Sequence, residues 1–312
     1  MTNAEGPAGV ERLRSWATYA SVAVALTLIV AKLGAYLSTG SVSLLSSLID
    51  SSTDLLASVV TLIGVRHALR PPDRSHRFGH GKAEPLAALA QAAFVTGSAL
   101  FLSYEAAYRL TDPRPVADET IGIVVMAGAI VVTAALVGFQ AHVVRRTGSL
   151  AVGADSLHYR GDLLMNLAVI GALLLTQQTG WAYFDPLFGI GIALYLMAGA
   201  WRIARGSLDV LMDRELGPDE RREVRRIVMG HAAAQGMHDL RTRHTGTHAF
   251  IELHLELDPD LTVAEAHHVT DEIEELIRAA FPGAEVMVHQ EPFGLDDERL
   301  DARIARGRKT AG

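Results

Sequence analysis

Six apolar runs, each long enough to cross a bilayer, leave this chain little choice of fold. Spanning the hydrocarbon takes roughly 20 mostly apolar residues, and such runs occupy about residues 15–37, 41–66, 83–108, 119–144, 149–177 and 183–204. Composition agrees, with 49% of the 312 residues hydrophobic and 20% charged, and a positive mean hydropathy. From "DRELGPDERREVRRIV" onward the chain turns charged and mixed. No further spanning run follows, so residues after about 213 predict a soluble domain. The first run is too long for the core of a cleaved signal peptide, and "MTNAEGPAGVERLR" reads as a disordered lead-in. The expected organisation is a disordered segment over 1–13, an all-α six-span membrane domain over 14–208, an α+β domain over 209–293 and a flexible charged tail over 294–312.

Short cytoplasmic loops collect Lys and Arg. One side of the six spans receives Arg12 and Arg14, Arg66, Arg70, Arg74, Arg77 and Lys82, Arg145 and Arg146, and Arg202 and Arg205; the other receives little beyond Arg109 and Arg114. Both termini are therefore predicted in the cytoplasm, and dropping a span would scramble the partition. A net charge of -7 and a pI near 6.0 argue against a nucleic-acid partner, which would normally require a basic face. The chain has no cysteine, so disulfides and thiolate ligands are excluded and any metal must be held by His, Asp or Glu.

The soluble part predicts helix, strand, strand, helix, strand. "PDERREVRRIVMGHAAA" has helical spacing at Val224, Ile227 and Val228 after a first-turn proline. "THAFIELHLELD" alternates Leu253, Leu255 and Leu257 with polar residues as a half-buried strand does. "LTVAEAHHVTDEIEELIRAAF" opens on a capping-type "TVAE", and "AEVMVHQEP" closes as a short strand. The pattern predicts a small ferredoxin-like α-β-β-α-β domain, one layer of helices on a sheet.

The second run carries two acids, Asp50 and Asp54, in "SSLIDSSTDLL". Residues four apart share a helix face about 6 Å apart along the axis. A charge near mid-bilayer costs roughly 2.5–3.5 kcal/mol even on a lenient scale, so such acids usually line a cavity or bind something. The alternative is that both sit near a span end in water. On the fifth run "ADSLHYRGDLLMN" repeats the spacing with His158 and Asp162, and Asn166 follows one turn later. These two could simply bond to each other; together with Asp50 and Asp54 they make one nitrogen and three oxygen ligands, which suits tetrahedral Zn²⁺. Ser51, Ser52 and Thr53 read as room for a cation and its water, and Asp155 and Arg160 as hydrated or paired groups near the cytoplasmic end. The loop "PPDRSHRFGHGKAEP" sets Asp73, His76 and His80 within eight residues; they could hold a metal or belong to a plain connector. On the soluble strands, His238, His254 and His289 could be inert surface residues or converge on an ion.

The acid pair on the second span, "HYRGD" on the fifth, the "HRFGHGKAE" loop and the α+β tail together resemble the cation diffusion facilitator family, most closely its bacterial zinc and iron efflux branch. The likeness runs from about residue 14 to 292. It implies a homodimeric multi-pass transporter of the bacterial cytoplasmic membrane, not an enzyme, exporting Zn²⁺, Cd²⁺ or Fe²⁺ against entering protons by alternating access. Its transport site maps onto Asp50, Asp54, His158 and Asp162, with His158 the group best suited to exchange a proton near neutral pH. Its loop site maps onto Asp73, His76 and His80. Its two-metal site at the dimer interface of the cytoplasmic domain maps onto His238, His254, His267, His289 and Glu291, where close relatives usually carry Asp and Gln290 can assist. His231, His244, His248 and His268 have no counterpart and read as surface or supporting residues. A charge interlock between Lys82 and Asp213 is also implied; a snorkelling lysine and a helix-end aspartate are the alternative. Two other classes remain open: a membrane-anchored metal sensor or store needs no ligands inside a span, and an intramembrane metalloenzyme would need a motif such as H-E-x-x-H, which is absent.

Overall fold

The computed structural model describes residues 7–40, 42–111, 120–181, 183–246, 248–295, 299–300, 302–304 and 306. Arg114 and most of the segment after residue 295 lie outside them. Contacts divide the chain after Leu208 into two units.

The first unit is built from α1 (Pro7–Thr39), α2 (Val42–Ala68), α3 (Ala83–Thr111), α4 (Thr120–Thr147), α5 (Leu150–Thr179) and α6 (Phe184–Leu211). All six are long and apolar enough to cross a membrane. Each extends past its apolar run, because a helix satisfies its own backbone amides in lipid and in water alike. Helix α1 packs on α2 and α4, α2 on α3, and α5 on α3 and α4. Helix α6 joins through an apolar cluster of Ala92, Val95 and Ala99 with Leu157, Ile192, Leu196 and Ala200. Gly199 lies against the Leu157 side chain and Gly161 against that of Leu196, so a Cβ at either would require the facing leucine to shift. Large apolar side chains such as Val30, Phe101 and Trp201 point outward, each about 70% exposed, as a lipid-facing surface requires.

Residues 7–13, expected in the disordered lead-in, form the first turns of α1 instead. The residue that follows them anchors the helix through a buried ion pair. Arg14 Nη1 donates to Glu84 at 2.9 Å, with the two side chains 7% and 3% exposed, while its Nη2 donates to the Thr147 carbonyl. Glu84 also accepts from Ser149 Oγ at 2.6 Å. One carboxylate at the start of α3 thus ties down α1 and the α4–α5 turn.

The second unit contains α7 (Pro218–Met229), β1 (Gly236–His244), β2 (Ala249–Leu257), α8 (Val263–Ala280) and β3 (Glu285–Pro292). The strands lie in the order β1-β2-β3, β1 antiparallel and β3 parallel to β2. Alternation along β2 sends Ile251, Leu253, Leu255 and Leu257 into a core shared with Val224 and Val228 of α7 and Ile273 and Ile277 of α8. The expected capping box at α8 is present, Thr262 and Glu265 each accepting from the other's amide. Helix α7 stops at Met229 rather than running on to Ala234, since Gly230 favours termination. The tail, expected to be mobile, is pinned where it is described: Arg299 Nη2 donates to Glu256 at 2.6 Å and the Leu300 amide to Asp239 at 2.7 Å.

Glu84→Ala leaves Arg14 buried without its carboxylate, which typically costs about 3–5 kcal/mol. A marked drop in the melting temperature of the detergent-solubilised chain is expected, whereas substitution of the exposed Glu11 should change it little.

Candidate metal centres

Helices α2 and α5 each present an acid-bearing face, and their packing joins those faces. His158 Nε2 lies 2.9 Å from Asp54 Oδ1 and 3.7 Å from Asp162 Oδ2. One ligand atom from each of the three lies within 4.8 Å of the others. His158 is 7% exposed, and the rings of Phe94 and Tyr159 flank it edge-on. Asp50, one turn from Asp54, lines the same cavity but stands outside the three-residue cluster. Asn166 also lines it. The residues between the acids are not simply spare room: Ser51 is buried and takes a hydrogen bond, while Ser52 and Thr53 bond back to carbonyls of α2.

Sequence reasoning missed Lys32 of α1. Its ammonium donates to Ser51 Oγ at 2.7 Å and the Ser47 carbonyl at 3.2 Å. It lines the cavity and acts electrostatically on Asp54, Asp162 and Asp50. The available signal was a lone lysine within the first apolar run, which needs an anionic partner by the same reasoning that singled out the acids.

Of the two expectations for Asp155, hydrated or paired, the paired one holds: the residue is 1% exposed. It accepts from Ser58 Oγ at 3.2 Å and Gln140 Nε2 at 2.7 Å. Ser58 also meets Tyr159 Oη at 2.9 Å, and Gln140 donates to Ser21. The network joins α1, α2, α4 and α5 beside the turn of α5 that carries His158. A buried carboxylate in lipid requires such partners, and neutral hydroxyls and amides supply them.

In the α2–α3 loop, Asp73 Oδ1 accepts from the amides of His76 and Ser75 at 2.7 and 2.8 Å. These bonds, His76's first, hold the Asp73 carboxyl below the usual aspartate value. His76 Nδ1 lies 3.3 Å from Asp73 and His80 Nε2 3.2 Å from it. The three could hold one ion. Gly79 turns the chain at a φ of 77°, conformationally costly for a residue with a side chain.

In the C-terminal domain, the sheet register aligns the histidines. His238 pairs with His254 across β1 and β2, and His254 with His289 across β2 and β3. Glu291 is two residues beyond His289 and therefore on the same face. Its carboxylate meets His254 Nδ1 at 2.6 Å, His238 Nε2 at 3.0 Å and His289 Nε2 at 3.5 Å. Burial raises the Glu291 carboxyl, but hydrogen bonds and charge from His254 and His238 outweigh it and hold it below the ordinary glutamate value. His238, His254 and Glu291 could share an ion. His238 is 4% exposed and turns its Nε2, the nitrogen available to an ion, toward Glu291. His267, on α8, is outside the cluster and 3.6 Å from Asp271. Glu256, also missed in the sequence, lies 3.5 Å from His238, with Gly236 opposite it because a Cβ there would strike the carboxylate. Of the unmatched histidines, His231 and His268 both lie near Glu272. Asp213 Oδ1 lies 3.5 Å from Arg243, and the Lys82 carbonyl accepts from the Leu86 amide ahead of α3.

Comparison with known proteins places both parts of the chain in a family of cation efflux domains. Residues 18–212 match the family model of the cation efflux transmembrane domain, and residues 216–293 that of the cation efflux protein cytoplasmic domain. The cation-efflux pump FieF of Shewanella oneidensis is 49% identical over 280 residues, covering 90% of this chain and 94% of that pump. FieF of Escherichia coli O1:K1 is 45% identical over 284 residues, with 91% and 94% covered. Among solved structures, the metal-bound C-terminal domain of the CzcD transporter from Thermotoga maritima is 28% identical, covers 25% of this chain and 93% of its own, and gives a TM-score of 0.25. With both of its parts matched by that family's two domains, the chain belongs to the cation efflux, or cation diffusion facilitator, family.

Proposed function

We propose that this chain exports a divalent cation, Zn²⁺ first and Cd²⁺ or Fe²⁺ as alternatives, across the bacterial inner membrane in exchange for protons, as a homodimer with both termini in the cytoplasm. The observation that carries the reading is the meeting of Asp54, His158 and Asp162 inside the membrane domain, within 4.8 Å. Nitrogen and oxygen ligands without sulfur suit Zn²⁺ and are compatible with Fe²⁺. Asp50, on the same wall of the cavity, would complete the set of four.

Coupling follows from charge. Three carboxylates in a low-dielectric cavity resist full ionisation without a counter-charge, so metal and protons compete for the same groups. His158, with a reference pKa near 6.5, is suited to exchange one of those protons near neutrality. Alternating access would expose the site to each side in turn. The rival reading, a sensor or store binding metal only in its tail, needs no ligands in a span. Zn²⁺ flux into proteoliposomes under a pH gradient separates the two: Asp54→Ala should abolish uptake while leaving tail binding intact. Unimpaired uptake by Asp54→Ala would reject this transport site, and tail binding by the parent with no flux would support the sensor.

Lys32 would offset one negative charge of the empty cavity and repel the incoming ion. Replacing it with methionine should therefore tighten Zn²⁺ binding by about tenfold, a conservative figure for a charge acting through an effective dielectric near 20, and slow release. Equilibrium binding with the tail ligands removed, beside flux on the intact chain, measures both.

The tail residues His238, His254, His289 and Glu291 would hold regulatory metal, and a resident ion there would supply a positive centre bridging strands. Because His267 is exposed on α8 away from this cluster, a second copy would supply it, and a Lys82–Asp213 interlock belongs to the same proposed dimer. Sedimentation should show Zn²⁺ shifting the chain toward dimer, and His267→Ala should weaken that response without removing binding at His238 and His254.

A further inference from the structure

The loop cluster has a neighbour on the preceding helix. His67 lies in the last turn of α2, and its ring stands edge-to-face against His80 with centroids 4.7 Å apart and planes at 77°. His76 lies against the other member of the pair at 4.6 Å. Arg70, His80, His76 and Asp73 all lie close enough to act electrostatically on His67. Imidazoles sharing one tetrahedral ion, with metal–nitrogen bonds of about 2.0–2.1 Å, bring their centroids to roughly 5 Å. Both pairs stand near that separation.

Three further observations point to a ligand rather than to ring packing alone. His80 is 9% exposed and turns its Nε2 to Asp73 at 3.2 Å, while its Nδ1, on another side of the ring, is buried with no hydrogen-bond partner among the described residues, so a turn of the ring toward His67 costs it no Nδ1 hydrogen bond. Asp73, His76 and His80 bring ligand atoms within 4.8 Å of one another while His67, like Asp50 at the transport site, stands outside its group, so the ring of His67 would turn inward to supply the fourth ligand that a closed structural Zn²⁺ site takes. The position of His67 at the C-terminal end of a long helix favours a cation, because carbonyl dipoles accumulate there.

We propose that His67 is the fourth protein ligand of the loop site, which then holds a divalent cation in a three-histidine, one-aspartate set. The inference rests on the proposed reading of Asp73, His76 and His80 as a metal site. It adds a mechanical consequence. An ion held by His67 and the loop pins the loop to the end of α2, the helix that carries Asp50 and Asp54. Occupancy of the loop would then restrain the helix that supplies half of the transport ligands.

Co²⁺ is the probe, because four-coordinate tetrahedral Co²⁺ absorbs visible light far more strongly than five- or six-coordinate Co²⁺. The full-length chain carrying Asp54→Ala and His254→Ala is titrated with Co²⁺, alone and with His80→Ala, His67→Phe or His67→Gln added. Phenylalanine keeps the ring packing without the nitrogen; glutamine keeps a polar side chain if the aromatic change upsets folding. Melting and gel-filtration profiles of the His67 variants report that the membrane domain, a unit separate from the tail, is folded. The expected result is a strong visible band in the parent, lost in His80→Ala, and in both His67 variants a weaker band with affinity lower by at least about tenfold, the loss typical even of an outer partner. A band and affinity unchanged by His67→Phe and His67→Gln, with His80→Ala still destructive, overturn the inference and leave the loop site standing. No loss in His80→Ala overturns the loop reading, and the inference with it.

Discussion

Hydrocarbon cannot solvate charge, and the membrane domain is organised around that constraint. Asp54 and His158 each sit within an apolar helix where an isolated polar group would be costly. At 2.9 Å from each other they share one environment, and the contact fixes which face of α2 meets which face of α5. Asp155 obeys the same rule beside them, with Ser58 and Gln140 as its partners. Lys32, donating to Ser51 and Ser47, brings a positive charge to the wall that carries the acids. The polar interior therefore draws its groups from α1, α2, α4 and α5, and large apolar side chains are exposed on the outside.

The C-terminal domain reaches a similar ligand chemistry by different geometry. In the helices, ligands come in pairs four residues apart on one face. In the sheet they come from three strands at one register position, since neighbouring strands bring paired residues within side-chain reach. The β-bulge after His238 turns the following backbone and leaves Asp239 at a φ of 50°, where its carboxylate receives the Leu300 amide. Glu256 links the histidine cluster to Arg299 in the same way. The tail is thereby tied to groups that border the candidate site.

Much of this was legible in the residues. Six spans, the i,i+4 pairs and the α-β-β-α-β order are periodic features, and periodicity is a local property of sequence. The helix-capping box at Thr262 was legible for the same reason. The helix that begins at residue 7 is anchored at Arg14 by Glu84, seventy positions away, a contact that no local pattern shows. Lys32, Glu256 and the partners of Asp155 escape a reading of the sequence because their roles depend on neighbours from other elements. His67 carries no motif and acquires meaning only beside His80.

The sequence by itself determined where the chain lies in lipid, which residue types could ligate a cation, and that sulfur was not among them. These follow from composition and spacing, which do not depend on folding. The tertiary structure decided which candidates meet: Asp54 rather than Asp50 stands against His158 and Asp162, and His267 stays apart from His238, His254 and Glu291. Ligation is a matter of ångströms between side chains, and helix rotation and strand register set those distances.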